Sequence, residues 1–325
     1  MLYNAANSLI NMNKQITNTV LMIRPVQFRM NEQTAVNNYY QKIIDNLNPE
    51  EVNTMAVKEF DDFVEKLQSV GIQVIVVSDN KEFDTPDSIF PNNWISFHQN
   101  GTVALYPMFA ENRRHERKES VLEAVEQKGF SIKHIIDYSG AEQEHVFLEG
   151  TGSIILDRAY GKAYCALSPR ADEDLFIEFC EDFDFFPVVF SAYQTVHQKR
   201  EKIYHTNVMM CIGATFAVIC LDAIDDKKER KQVLNHLKKD NKEIIDITED
   251  QVNQFAGNML QLMGEKETPY LIMSQSSFES LRSDQRAKLE KHTKIISSPL
   301  GTIEACGGGS ARCMMAEIFL PKALN

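Results

Sequence analysis

Apolar side chains along this chain recur with two different periods, and the switch between them sketches its elements. From Glu51 to Leu67, the residues Met55, Val57, Phe60, Phe63, Val64 and Leu67 fall at helical spacing, and the pattern stops at Gly71. Arg114 to Lys128 repeats the arrangement ahead of Gly129, and the same spacing predicts helices over Asp172–Asp184, Lys227–Lys239, Glu249–Met263 and Asp284–Lys291. Short apolar runs at Val20–Ile23, Gln73–Val77, Tyr270–Ser274 and Ile295–Ser298 read as strands. Strand and helix alternate with no Pro- or Ser-rich linker between them, which predicts an α/β chain. The expected division is a leader over residues 1–19, free to move, and a single domain over residues 20–325.

A paired-strand unit appears three times. NWISFHQNGTVALYP turns at Asn100–Gly101, EGTGSIILDRAYGKAYCAL near Gly161, and HTNVMMCIGATFAVIC near Gly213. Each opens on a polar residue, Asn93, Glu149 and His205, at a constant interval of 56 residues, and Cys313 lies 108 further on, close to two more steps. A strand pair followed by a helix and a further strand buries its apolar face only against a neighbouring copy. If about five such units closed into a ring, the openers would occupy one structural position in each and converge on a central pocket.

Amide, carboxylate, imidazole and thiol together suit attack by a thiolate. A thiol needs a basic or cationic neighbour to ionise at neutral pH, which His205 could supply, and Glu149 could hold the imidazole or bind a substrate N–H. The run Gly307–Gly309 in GGGSARC lets a ligand approach the backbone before Cys313, because no Cβ intrudes. Taken singly, each residue has an ordinary role. Cys165, Cys180, Cys211 and Cys220 sit among apolar or aromatic neighbours and read as core thiols, and the remaining histidines read as structural or exposed.

Composition narrows the partners. The 325 residues are 43% hydrophobic and 25% charged, enough for a sizeable core, and a net charge of −12 argues against nucleic acid. No apolar run is long enough to span a membrane, and the N-terminus lacks secretory features. The six cysteines form no CxxC or zinc spacing, so reduced thiols in a cytoplasmic protein are expected.

These motifs resemble the pentein, or guanidino-modifying, superfamily. Its last motif is a glycine-rich loop ending in the nucleophilic cysteine, here GGGSARC at 307–313; its middle motifs are an EGG-type turn, here Glu149–Gly152, and a histidine opening a strand, here His205–Asn207. The stretches MIRPVQFRMNEQTAVNNYYQ and PDSIFPNNWISFH are most similar to the citrulline-utilisation hydrolase branch. The resemblance implies a five-fold pseudo-symmetric α/β propeller of ββαβ repeats, with Cys313, His205 and Glu149 catalytic. Arginine deiminases place aspartates against the guanidinium where this chain has Asn93, beside Asn92, and Asn207. An amide both donates and accepts, which suits the neutral ureido group of citrulline, but asparagine at the first of these places also resembles succinylarginine dihydrolase and the arginine dihydrolases, so it argues against a simple deiminase without separating citrulline from arginine. Arg113, Arg114 and Arg170 match arginines that bind the substrate carboxylate. The implied reaction hydrolyses L-citrulline to ornithine, ammonia and carbon dioxide through a covalent cysteine intermediate. It needs no metal or organic cofactor, takes a small amino acid as partner, and leaves homo-oligomerisation open. Arginine dihydrolase, deiminase and amidinotransferase activities stand as alternatives within the superfamily, and a non-catalytic binding protein as one outside it.

Overall fold

The computed structural model describes residues 14–323. The chain begins with β1 (Thr19–Arg24), crosses over through the helix Pro49–Ser69, and returns as β2 (Gln73–Ser78), parallel to β1. Asn48 caps the helix, accepting from the Glu50 and Glu51 amides while the Glu51 side chain bonds back to its N–H, and Pro49 occupies the first turn. Its buried face is Val52, Ala56, Phe60, Phe63 and Leu67, set against Val20 and Met22. Met55, expected on that face, points to solvent.

The next elements repeat one pattern. β3 (Ile95–Phe97) and β4 (Thr102–Leu105) form a hairpin, and the helix Glu119–Gln127 leads to β5 (His134–Asp137), parallel to β4. β6 (Ile154–Asp157), β7 (Lys162–Ala166), the helix Glu173–Asp182 and β8 (Phe186–Phe190) do the same. A two-stranded insertion, β9 (Tyr193–Val196) and β10 (Lys199–Lys202), precedes β11 (Met210–Ile212), β12 (Phe216–Ile219), the helix Lys227–Lys239 and β13 (Glu243–Asp246). β14 (Leu260–Met263) and β15 (Pro269–Ser274) follow, then the helices Gln275–Ser280 and Ser283–Glu290 and β16 (Lys294–Ser298). Finally β17 (Ala316–Glu317) pairs antiparallel with β1, so both ends of the described chain complete one sheet, β17-β1-β2. Every three-stranded sheet thus holds one antiparallel and one parallel pair. The parallel pair requires a crossover, and a helix supplies it each time.

Two expected helices are shorter. Over Arg114–Lys128 the α-helix begins only at Glu119, because Arg113 and Glu116 are buried in a 3-10 turn, Glu111–Glu116, and Arg117 is extended. Over Glu249–Met263 the helix covers Glu249–Val252 alone. Phe255 is left-handed, with φ of 61°, and a Cβ on Gly257 would lie 2.3 Å from the Val208 carbonyl oxygen, so the chain runs flat against its neighbour and then becomes β14. Part of the expected leader is packed: Gln15 donates to the carbonyls of Leu156 and Ile212, and Thr17 to that of Ile318. Its first 13 residues lie outside the described residues. Among the described residues no helix is long and apolar enough to cross a membrane.

Candidate active site

The expected openers lie at the same end of their sheets. Asn93 closes a 3-10 turn before β3; Glu149 and His205 each stand one helical turn ahead of β6 and β11; Cys313 precedes β17. Their offsets from the first strand run from two to five residues, so they share an end of the repeat and not one register position.

Glu149 and His205 form the buried centre of the site. The imidazole Nε2 lies 2.7 Å from Glu149 Oε2, and Oε1 of the same carboxylate accepts from the Phe109 amide at 3.0 Å. Arg170 Nη1 stands 3.4 Å from Oε2. Burial alone would raise the Glu149 carboxyl, but the Arg170 charge and the imidazole outweigh it and hold the group well below the ordinary carboxylate range. Desolvation pushes His205 down to about 4, against the pull of Glu149. At neutral pH the pair is therefore a carboxylate and a neutral imidazole, with the proton on Nε2 and a lone pair on Nδ1. Gly152 makes room for this ring: a Cβ there would lie 2.8 Å from His205 Nδ1 and 2.5 Å from Asn93 Nδ2.

Two amides face the sulfur of Cys313. Asn207 Nδ2 lies 3.4 Å and Asn258 Nδ2 3.2 Å from Sγ. Both are donors, so the sulfur is held as an acceptor, the role of a nucleophilic thiolate. Burial pushes the thiols of Cys165, Cys180, Cys211, Cys220 and Cys306 up. Gly308, left-handed with φ of 61°, turns the chain into the cysteine loop, and a Cβ there would strike the Asn38 amide at 2.6 Å.

Asn93, Arg113, Arg170, His205 and Cys313 line one pocket. Glu149 stands behind His205, and Asn207 behind Cys313 with its buried Oδ1 unpartnered. Asn92 is also behind the wall, accepting from Asn93 Nδ2 at 3.0 Å. Arg114 is outside the site: it bonds the Met108 carbonyl and lies 3.5 Å from Glu142. Arg113 and Arg114 share one 3-10 turn, and adjacent positions on it point different ways: Arg113 inward to Glu116, Arg114 to the half-buried Glu142. Arg113 spends its fork on Glu116, with both contacts at 2.9 Å, and Nη1 on Asn93 Oδ1 at 2.7 Å. Burial lifts the Glu116 carboxyl to about 7, partly offset by Arg113. Arg170 bonds Asn37 and the Thr34 carbonyl as well as Glu149. A wider hollow along the helix Lys227–Lys239 is lined by lysines and carries no such constellation.

Several site residues escape the sequence pattern. Asp87 reaches the pocket fully buried; Asn31 and Thr34 bond its Oδ2, while Oδ1 has no partner. Burial pushes its carboxyl up, with the charges of Arg113 and Arg170 pulling the other way. Tyr204 supplies a ring 4.5 Å from that of His205, and Asn38 bonds the Gly307 carbonyl at 3.2 Å. Asn258 was within reach. It lies 53 residues after His205 and 55 before Cys313, filling the step that the 108-residue interval leaves empty.

Residues 24–320 match the family model described as N,N dimethylarginine dimethylhydrolase, eukaryotic. The chain belongs to this family. The N,N dimethylarginine dimethylhydrolase family falls within the pentein superfamily of guanidino-modifying enzymes. Among solved structures the chain is similar to apo ArgZ, an arginine dihydrolase from the ornithine-ammonia cycle in cyanobacteria, with a TM-score of 0.69 and 18% identity over 94% of this chain. It spans only 41% of that protein's length. AgrE, in its ternary complex with ornithine and NAD+, gives a TM-score of 0.68 and 17% identity over 94% of this chain and 40% of AgrE. A histidine-to-glycine variant of dimethylarginine dimethylaminohydrolase, as its adduct with S-methyl-L-thiocitrulline, gives 0.61 and 14% over 94% of this chain and 100% of the enzyme. No curated protein matches the sequence. The mixed α/β fold is therefore that of the pentein structures.

Proposed function

We propose that the protein is a cysteine-dependent hydrolase of the ureido C–N bonds of L-citrulline, yielding ornithine, ammonia and carbon dioxide. One observation carries the reading: beside the nucleophile the charges already cancel. Glu149, the carboxylate at the reacting end, is paired with Arg170 and bonded to His205, and the groups touching Sγ are neutral amides. A neutral head enters such a place without stranding a charge, whereas a guanidinium would bring a cation to a carboxylate that is already partnered.

In this reading the Cys313 thiol passes its proton to His205 Nδ1 as Sγ attacks the ureido carbon. The C–N bond to one nitrogen breaks and Nδ1 returns the proton to that nitrogen, so one amine, ammonia or ornithine, leaves and a thiocarbamate on Cys313 remains. Water, deprotonated at His205 Nδ1, adds to that thioester-like carbon, the C–S bond breaks and Sγ regains the proton; the carbamate released splits into carbon dioxide and the second amine. Glu149 fixes the imidazole tautomer and steadies its charged form. In the same reading Asp87, with a free buried oxygen, receives the α-ammonium, and Arg170, which lines the same pocket, receives the α-carboxylate. The six free thiols suit a reducing compartment such as the cytoplasm. The reading also takes residues 20–325 as one catalytic domain whose five sheets close as a five-fold pseudo-symmetric propeller. Contacts of β17 with β3, of β6 with β11 and of β11 with β14, and a core shared by β1, β14 and β15, support closure.

A second reading is arginine dihydrolase activity. It is favoured by the likeness to ArgZ and by Glu149 itself, which would face a guanidinium if Arg170 moved away. Incubation of the pure protein with L-citrulline or L-arginine, following ornithine and ammonia, separates the two. Ornithine is expected from citrulline, and ornithine from arginine alone would replace the first reading by the second.

A further inference from the structure

The glycine run ahead of Cys313 cannot hold itself in place. A Cβ on Gly307 would lie 2.7 Å from the Phe90 ring and one on Gly309 2.9 Å from it, so neither position takes a side chain unless that ring moves. Three glycines in succession leave the backbone its widest conformational freedom, whereas a nucleophile must be delivered to one place.

Other segments hold the run. At the pocket, Asn38 donates to the Gly307 carbonyl at 3.2 Å and Tyr204 Oη to the Gly308 carbonyl at 2.6 Å. The turn that follows is held by Glu304, on the helix Gly301–Gly307, which is buried and does not line the pocket. Its main-chain carbonyl accepts from the Gly308 amide at 3.0 Å, and its Oε1 accepts from Ser310 Oγ at 2.6 Å. Ser310 is fully buried, and its own carbonyl accepts from the Cys313 amide at 3.0 Å, so the hydroxyl belongs to the residue that opens the turn carrying the thiol. The other oxygen, Oε2, accepts at 2.7 Å from Ser276 Oγ on the helix Gln275–Ser280, between β15 and β16. One carboxyl thus joins the cysteine turn to a different part of the fold.

Charge pairing does not account for this acid. Among the described residues Glu304 has no ion-pair partner, and the charge that bears on it, Glu59, has the same sign. Burial pushes its carboxyl up, and the hydroxyls of Ser274, Ser310 and Ser276 pull it back. A buried acid without a counter-charge costs stability, so what it gives the fold here is the bridge between two hydroxyls. A hydroxyl both donates and accepts, and the bridge therefore holds whether the carboxyl is charged or protonated.

We infer that Glu304 is a positioning residue for the nucleophile, clamping Ser310 to Ser276 so that the glycine run delivers Cys313 Sγ to one place. The inference takes from the reading above only that Cys313 is the nucleophile, whatever head group the substrate carries.

The test compares wild type, Glu304→Ala, Ser310→Ala and Glu304→Gln by two readouts. Amide hydrogen exchange across residues 307–313 needs no substrate; it should quicken at least about tenfold in the two alanine variants, the size of one lost buried hydrogen bond, with exchange in β1 and β15 unchanged. With L-citrulline or L-arginine, whichever the wild type cleaves, kcat should fall about ten- to a hundredfold while KM stays within about twofold. Glu304→Gln keeps an acceptor for Ser310 and offers Ser276 a donor, and should bring both readouts to within about threefold of wild type. Unchanged exchange in folded alanine variants would overturn the clamp, as would quickened exchange with kcat intact. A glutamine variant as impaired as the alanine one would also overturn it, since a bridge of hydrogen bonds does not need the charge. If the wild type cleaves neither substrate, the proposed function fails while exchange still decides the clamp. Thermal melting identifies a Glu304→Ala chain that fails to fold, and Ser310→Ala, which removes a single hydroxyl, then decides.

Discussion

The side of the pocket proposed to react, with His205 and Cys313 on it and Glu149 and Asn258 behind them, is assembled from the turns that open successive sheets, whereas the remaining side hangs on residues 31–41, which repeat nothing. From that segment Asn31 and Thr34 bond Asp87, Asn37 bonds Arg170, and Asn38 and Gln41 bond the Gly307 carbonyl. The two meet at Arg170, which touches Glu149 on one side and Asn37 on the other. A repeat can place reactive groups at one end of the fold because each sheet delivers a turn there. It cannot distinguish the two ends of an asymmetric substrate, and a non-repeating segment supplies that difference.

If the division is real, substitutions on the two sides should separate in kinetics. The largest effect is expected from Cys313→Ala, which removes the nucleophile: turnover should fall by about 10³-fold or more, with a melting temperature close to wild type. Retained turnover above that level would remove the cysteine from the chemistry. Intermediate effects should distinguish Asn258→Ala from Asp87→Asn. Asn258 touches Sγ, the Asn207 carbonyl and, through Oδ1, the Arg312 amide at 3.0 Å, so its loss should lower kcat and slow alkylation of Cys313 by roughly tenfold or more, with little change in KM. Asp87→Asn should instead raise KM by about tenfold or more and spare kcat, because a charge-assisted bond to the α-ammonium is worth about 1.5–3 kcal/mol. Equal KM and kcat signatures for the two would erase the comparison.

The smallest effect concerns pH. His205 binds its proton only near pH 4 in the fold, against an ordinary value of 6.5, so between these limits the unfolded chain holds more protons. Its stabilising contribution is present above pH 6.5 and is lost as the pH falls toward 4. It amounts to no more than about 3.4 kcal/mol. Melting of wild type and His205→Asn between pH 4 and 7 isolates the contribution: wild type should lose more stability on acidification, and parallel curves would contradict the buried neutral imidazole.

Much of the reacting side was legible in the chain. The 56-residue interval that links Asn93, Glu149 and His205 follows from repeated units, whereas Asn258, which fills the remaining step before Cys313, was not picked out. Hairpin positions were legible for the same reason, since Asn100–Gly101 fixes a turn locally, with Gly101 at φ of 90°. The helix expected over Glu249–Met263 was not, because Gly257 is pressed against Val208 and Met209, contacts that no local pattern encodes. Asp87 was hidden in plain view within PDSIFPNNW, an acid like many others until Asn31 and Thr34 fold over it.

By itself, then, the sequence marked Asn93, Glu149, His205 and Cys313 as candidates that recur at one end of repeated strand pairs, because hydrophobic period and turn chemistry are local. Only the tertiary structure decided their states. Arg113 and Arg114 are chemically identical neighbours, yet one is locked against Glu116 and Asn93 and the other faces the half-buried Glu142. Six cysteines share one side chain, and only Cys313 receives two amides brought from 106 and 55 residues away. Burial and the partners it imposes set charge, tautomer and hydrogen-bond polarity, and those depend on segments that meet only when the chain has folded.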